Sequence, residues 1–376
     1  MRDDSIEISG AGPAGLAAAL AVAAVGRQAR VYEKRADVGW RFHGDFQGLE
    51  NWTTREDVLE ELATLGVEAG FEHTPVRELT VFDPAGRART LRSQQPLFYL
   101  VRRGGESGTI DEALKRQVLA AGVEIRFRTP VTRFPNGGIV TEGPHRADAI
   151  AAGYLFETDM ADGIYAAVSE RLARCGYAYL LVDRGRGTLA TCLFDDFHNE
   201  RDYLERCLAF FDRHVGLRMN EPRRFGGSGN FGLPHSARKG GILYAGEAAG
   251  FQDPLFGFGI RWAVLSGAAA GRALAQGKPE GYERFWKRRL RAWHETAATN
   301  RWFYERLGDR GYAAMLRSFP AGGDVRDWVH RAYAPRLWKR AWYRLVMARR
   351  HEPLLNPHAG CDCTWCRCRR EPGGMG

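Results

Sequence analysis

Residues 6–33 read IEISGAGPAGLAAALAVAAVGRQARVYE, and their order decides the fold class. A short apolar strand around Ile6 and Ile8 runs into Gly10-Ala11-Gly12-Pro13-Ala14-Gly15. An alanine-rich helix follows to about Val25, Gly26 ends it, and a second strand from Ala29 to Tyr32 delivers Glu33. Gly10 permits the tight turn out of the first strand, Gly12 lets the backbone approach a pyrophosphate, and Gly15 lets the helix sit close on the sheet. The free N–H groups and positive dipole end of that helix then face the phosphates. Glu33, 18 residues past Gly15, stands where a carboxylate accepts hydrogen bonds from an adenosine ribose. Strand, helix and acid at this spacing point to a bound dinucleotide. The alternative is a structural turn in some other α/β fold. The stretch alone does not choose between FAD and NAD(P).

A chain of 376 residues suits one large domain or two interleaved ones with an ample core. The net charge is +9, but Arg331, Arg336, Lys339, Arg340, Arg344, Arg349 and Arg350 fall in one segment, 330–350, that holds no acid. That is a basic tail rather than a generally basic surface, and no nucleic-acid partner is expected. Of seven cysteines, Cys175, Cys192 and Cys207 are scattered and read as packing residues rather than nucleophiles. The other four crowd into 361–368, which is not a secreted disulfide framework. Arg2-Asp3-Asp4 leads straight into a core strand with no signal peptide, and Leu16–Val25 is too short to span a bilayer. The expected setting is the cytoplasm, with peripheral contact at a membrane left open.

Further along, residues 39–48 mix glycine with Trp40, Phe42 and Phe46, as a loop beside a cofactor or as an ordinary surface connection. Thr54–Gly66 reads as a helix capped by Thr54. Residues 76–101 read as strands and turns. Arg102 and Arg103 precede a loop and then a helix, Asp111–Ala121, with Ile110-Asp111-x-x-Leu114 at its start. From spacing alone, Arg103 reads as a surface arginine. Val131–Ile139 and 146–152 read as further strands of the nucleotide domain. Gly176–Val182 and Gly187–Phe194 read as paired antiparallel strands joined by the turn at 183–186. Glu200–His214 reads as a helix, and this sheet region as a substrate-binding layer. In Gly240–Gly271 a strand ends in Gly246-Glu247-Ala248-Ala249-Gly250. Pro254, Gly257 and Gly259 follow, then a helix of small residues from Ile260. This is a second place where a backbone and a helix N-terminus come close to an anionic ligand.

The two glycine-rich blocks together, with the arginine–helix segment between them, resemble the FAD-dependent oxidoreductases of the p-hydroxybenzoate hydroxylase fold. Within these the chain is most similar to the geranylgeranyl reductase family, whose Gly-Tyr-x-Trp/Tyr strand in the substrate channel resembles Gly176-Tyr177-Ala178-Tyr179. The resemblance covers about residues 5–280 and implies an α/β, Rossmann-like FAD-binding domain with an inserted antiparallel substrate sheet and a helical C-terminal region. FAD-binding segments would be 1–75, 102–153 and 240–280. Substrate-domain segments would be 76–101 and 154–239, with helices at 281–350 and a Cys-rich basic tail at 351–376. It implies Gly10, Gly12, Ala14 and Gly15 at the FAD pyrophosphate, Glu33 and Lys34 at the adenosine ribose end, and Arg41 and Arg103 near the cofactor. Gly246 and Glu247, the latter in place of the usual aspartate, would reach the ribitol or pyrophosphate. Pro254, Gly257, Gly259 and Ile260 would frame the isoalloxazine. The family's cysteine after the ribose-binding acid has no counterpart here; Trp40, His43 and Asp45 occupy that loop.

The expected function is FAD-dependent reduction or oxidation of a C–C bond in a small hydrophobic, isoprenoid or polyketide-like substrate, by hydride transfer. Candidate proton donors are His43, Asp45, Tyr177 and His235. With no second G-x-G-x-x-G, electrons would come from transient NAD(P)H contact or an electron-donor protein. A flavin monooxygenase or halogenase is the alternative, and a non-catalytic flavoprotein with a Cys-rich interaction tail a further one. Tyr282–Leu307 and Asp327–Met347 read as two long helices. In the second, Leu337, Trp338, Ala341, Trp342, Leu345 and Val346 share a stripe, which suits either a membrane interface or a helix capping the body. Cys361, Cys363, Cys366 and Cys368, with His358 as a possible substitute, could hold Zn²⁺; otherwise they are redox-active or incidental thiols.

Overall fold

A computed structural model of the chain describes residues 5–347 except 132, 145, 146, 320 and 321. In chain order, β1 (Ile6–Ser9), α1 (Pro13–Ala23) and β2 (Ala29–Tyr32) form the opening unit. Then come β3 (Phe46–Glu50), α2 (Val58–Thr64), β4 (His73–Val76), β5 (Glu78–Phe82), β6 (Ala88–Arg92) and β7 (Phe98–Arg102). α3 (Ile110–Ala120), β8 (Glu124–Arg126) and β9 (Gly138–Val140) return to the first sheet, and β10 (Ala149–Glu157), β11 (Gly163–Ala167), β12 (Tyr177–Asp183) and β13 (Arg186–Leu193) follow. After α4 (Glu200–Val215) come β14 (Asn220–Gly229), β15 (Arg238–Lys239) and β16 (Ile242–Tyr244). The chain closes with α5 (Ile260–Ala275), α6 (Pro279–Arg289), α7 (Arg291–Tyr304), α8 (Gly308–Ser318), α9 (Val325–Tyr333) and α10 (Leu337–Met347).

Three sheets result: β15-β16-β9-β1-β2-β8, mostly parallel; β14-β10-β13-β12-β11-β5-β6; and β3-β7-β4. α1 starts at Pro13, whose missing N–H costs nothing at that position, and is buried on every side from Pro13 to Val22. It can be so because α5 meets it through glycines. A Cβ on Gly267 would lie 2.0 Å from the Ala14 carbonyl oxygen, and one on Gly271 2.2 Å from that of Ala18. Backbone therefore packs on backbone where α1 and α5, far apart in the sequence, meet.

The hairpin of β12 and β13 turns on Arg184 and Gly185, both with positive φ (51° and 76°), as a two-residue turn requires. Even-numbered residues of β12 (Ala178, Leu180, Val182) pack with Leu204, Cys207 and Phe211 of α4. The odd-numbered ones (Tyr177, Tyr179, Leu181) face the opposite way, toward the helical region.

Several expected boundaries are corrected. α2 begins at Val58, not Thr54: Asp57 caps it by accepting the Leu59 N–H, while Arg326 holds the Thr54 carbonyl outside the helix. The strand over 149–152 does not join the nucleotide-binding sheet; it opens β10, paired with β13 and β14 in the seven-stranded sheet. The expected helix 282–307 is two helices bent at Leu290, which is buried with Trp286 in one core while Ala297 and Tyr304 of α7 enter another. The expected helix 327–347 is also two. Pro335 drives Ala334 to an extended backbone (φ −54°, ψ 129°) and ends α9.

Candidate active site

The carboxyl ends of β1 and β2 open onto a cavity of about 730 Å³ that continues beneath the odd-numbered face of β12. At its first end lie Gly10, Gly12, Ala14, Glu33 and Lys34; Gly15 sits behind them. The three glycines do different things. Gly10 has φ +98°, and a Cβ there would meet the Thr141 carbonyl oxygen at 2.9 Å. Gly15 leaves no room at all, since its Cβ would fall 1.9 Å from the Gly10 oxygen. Gly12 has ordinary backbone angles and empty space before it, so a side chain there would simply occupy the cavity. Glu33 accepts the Ala11 N–H at 2.9 Å and the Arg35 N–H at 2.8 Å, tying the end of β2 to the glycine turn.

The second glycine block closes the same cavity. Gly257 (φ +78°), Gly259 and Ile260 line it, with open space in front of Gly257. Neither α1 nor α5 has a side-chain cap, so the N-termini of both present bare amides near the cavity. Pro254 and Gly246 are buried behind the lining, where Ser266 accepts the Gly246 N–H. Glu247 lines the cavity, and its carboxylate is held by Arg41 at 2.8 Å and by the Asn230 N–H at 3.3 Å. The Arg41–Glu247 pair bridges the loop after β2 to the turn after β16.

Residues 39–48 border the cavity rather than forming an ordinary surface connection: Gly39, Trp40, Arg41, Phe42, Phe46, Gln47 and Gly48 all line it. Arg103 is not a surface residue. It is buried, grips Asp111 with Nε at 2.8 Å and Nη2 at 2.9 Å, reaches the Gln47 side-chain oxygen at 3.1 Å, and stacks over the Phe42 ring at 4.1 Å. Gln47 in turn donates to Asp45 at 2.9 Å. Asp45 is buried behind the lining, its carboxyl raised by burial against the opposing pull of the His43 N–H, Gln47 and Arg103.

Of the four candidate proton donors, only Tyr177 lines the cavity; His43 and His235 are exposed outside it. The Tyr177 hydroxyl donates to the Phe256 carbonyl, and burial holds both it and Tyr179 well above the usual phenol range. Both phenols therefore stay neutral donors. The rest of this end is apolar: Leu79, Val81, Leu181, Phe258, Leu316 and Phe319 among others. Burial pushes the Cys192 thiol to about 12 and the half-buried Cys175 thiol to about 11, which fits packing roles.

Two participants had gone unread in the sequence. Asp253 sits under the loop 251–259, accepting the Phe256 N–H at 2.9 Å and the Tyr333 hydroxyl of α9 at 2.9 Å; burial raises it to about 6. Arg261, at the start of α5, is buried against Glu50 and Glu61. The turn Asp253 makes with the Phe256 N–H is local, but its Tyr333 partner and both carboxylates of Arg261 lie far away in the chain. Among the described residues no cluster of three or more His, Cys, Asp or Glu could hold a metal ion. Cys361, Cys363, Cys366, Cys368 and His358 lie outside the described residues. No described helix is long and apolar enough to cross a membrane.

No family model matches the chain, and no curated protein matches it. Solved structures do. A geranylgeranyl bacteriochlorophyll reductase-like protein from Thermoplasma acidophilum superposes with a TM-score of 0.67 at 18% identity, over 90% of this chain and 95% of that one. A flavin-dependent brominase gives 0.63 at 16% identity, over 92% and 98%. The chain has the fold of these flavoproteins. The myxobacterial chondrochloren halogenase, an FAD-dependent halogenase, shares it at a TM-score of 0.59 and 17% identity, over 92% of this chain and 90% of that one. The flavoprotein fold thus accounts for the mixed sheets and the helical C-terminal region.

Proposed function

We propose that this protein is an FAD-dependent oxidoreductase acting on a small hydrophobic, isoprenoid-like substrate. The observation that carries the reading is one continuous cavity with two chemistries: bare amides, glycines and Glu33 at one end, aliphatic and aromatic walls at the other. The first end fits the group by shape, because Gly12 and Gly257 leave open the space their side chains would fill. Gly10, Gly12 and the N-terminus of α1 would hold the pyrophosphate and Glu33 the adenosine ribose. Arg103, Gly257, Gly259 and Ile260 would border the isoalloxazine. When bound, FAD supplies the redox chemistry, exchanging a hydride with a C=C bond or its reduced form.

The chain's own part is positioning. The apolar chamber excludes water and aligns a hydrocarbon; the Tyr179 phenol would donate to a polar end of the substrate, and the Tyr177 oxygen, its proton committed to the Phe256 carbonyl, would accept. Glu247, held by Arg41 and Asn230, keeps the loop 39–44 across the cavity. The electron donor would be NAD(P)H in transient contact or a partner protein. A second reading, monooxygenase or halogenase, draws on the likeness to the brominase and the chondrochloren halogenase.

The test is a visible spectrum of the purified protein, then anaerobic reduction and reoxidation by a polyprenyl olefin or by O₂ with halide. Flavin absorbance, and reoxidation by the olefin with formation of its saturated product, is expected. Hydroxylated or halogenated product instead would establish the second reading. A colourless protein that takes up no flavin on titration would sink both.

A further inference from the structure

The last described helix leaves a large apolar surface uncovered. On α10, Leu337 is 84% exposed, Leu345 57% and Trp338 52%, and Phe303 of α7 and Leu307 in the turn after it are each 38% exposed. These residues form a built ridge rather than loose side chains. The Trp342 ring stacks on Phe303 at 5.6 Å and meets Trp302 edge-on at 5.2 Å, while Trp338 lies 6.3 Å from Phe303. At 100° per residue, Leu337, Trp338, Ala341, Trp342 and Leu345 span one side of α10, and Arg336, Arg340 and Arg344 fall together on its flank. A contiguous exposed apolar face of this kind marks a contact surface.

The charge around the ridge says what the contact is. Residues 328–351 contain no Asp or Glu. Arg310, Arg336 and Arg344 have no acidic partner among the described residues, and Arg306 lies over the Trp302 ring at 3.9 Å. Tryptophans toward one edge of an apolar stripe and arginines along the other are the residue types that sit at a bilayer surface, apolar groups toward the acyl chains and cations at anionic headgroups. We infer that the α7–α10 ridge seats this protein peripherally on an anionic lipid bilayer, with Trp338, Leu337 and Leu345 in the interface and Arg336 and Arg344 on the phosphates. None of these residues lines the cavity, so the inference stands apart from the flavin reading.

Sedimentation of the full-length protein with phosphatidylcholine vesicles, with and without phosphatidylglycerol, tests it. Binding is expected only to the anionic vesicles, weakening with salt, and with a blue shift in tryptophan emission. Arg336→Glu with Arg344→Glu should weaken binding at least about 25-fold, at roughly fivefold for each cation lost. Trp338→Ser with Leu345→Ser should weaken it similarly, with solubility and far-ultraviolet circular dichroism unchanged as the check on folding. No binding of the wild type to anionic vesicles at low salt would overturn the inference, as would equal binding by both double variants. A concentration-dependent dimer abolished by Trp338→Ser would assign the ridge to a second copy instead, and would overturn it too.

Discussion

Replacing Arg103 by Met leaves Asp111 fully buried with the Gly104 N–H as its remaining contact, since two of its three hydrogen bonds come from that guanidinium. Breaking a buried ion pair from one side costs about 3–5 kcal/mol, because the surviving charge is left unpaired. Removing Asp111 as well, in Arg103→Met with Asp111→Leu, takes away that charge. The remaining penalty is the orphaned Gly104 N–H and Gln47 oxygen, about 1–3 kcal/mol. The double variant is thus expected to be more stable than the single one by about 2 kcal/mol, the difference between the two penalties. Urea unfolding should be measured on flavin-free protein, so that ligand binding adds nothing to the apparent stability. A single variant within about 1 kcal/mol of wild type, or a double variant no more stable than the single, would refute the reasoning. Flavin titration of the same proteins separates two roles. If Arg103 only supports Asp111 and the loop, the double variant regains affinity; if the guanidinium touches the cofactor, affinity stays low although stability returns.

Other predictions address the two glycine contacts and the pH response. Gly12→Val should leave the unfolding midpoint almost unchanged yet weaken flavin binding by about tenfold or more, on the order of 1.4 kcal/mol, because its side chain would enter open cavity; unchanged affinity would remove Gly12 from the cofactor site. Gly267→Ala should instead cost about 1–3 kcal/mol of stability by forcing α5 off α1, read by urea unfolding. Asp253 is held near 6 by burial, above its ordinary value of 3.8, so the folded state binds the extra proton between those values and stability falls as pH rises through that window. His294, lowered to about 4 by burial, acts oppositely over much of the same range. The readout is therefore the difference between wild type and Asp253→Asn. The variant should gain on wild type from pH 4 to pH 7, and parallel profiles would refute the assignment.

What was legible in the sequence was what backbone geometry dictates. Gly10, Gly15, Gly257 and the Arg184-Gly185 turn stand where a positive φ or a backbone contact restricts the residue type, and such places show in one chain read alone. Helix ends were less legible. The break at Pro335 had a local signal, whereas the bend at Leu290 depends on which of two cores each side chain enters. The candidate site was legible in the same uneven way. Its glycine turns and Glu33 could be named, but the burial of Arg103 depends on Asp111, and that of Asp253 on Tyr333, 80 residues away. His43 and His235 were attractive as residue types, and only the fold places them outside the cavity.

The glycine contact of α5 on α1 also sets an order in time. A growing chain makes Gly10–Gly15 well before β16 and α5, the pieces that flank β9 and cover α1, which come only at residues 242–275. Until then the all-apolar α1 has no partner along the Ala14–Ala18 face, and the cavity lacks its Gly257–Ile260 wall. Chains fold from the N-terminus as they emerge, and contacts spanning so much sequence form late and leave apolar surface open meanwhile. The opening helix is therefore made long before its cover, and the cavity gains its second glycine wall only once residues 257–260 have been added.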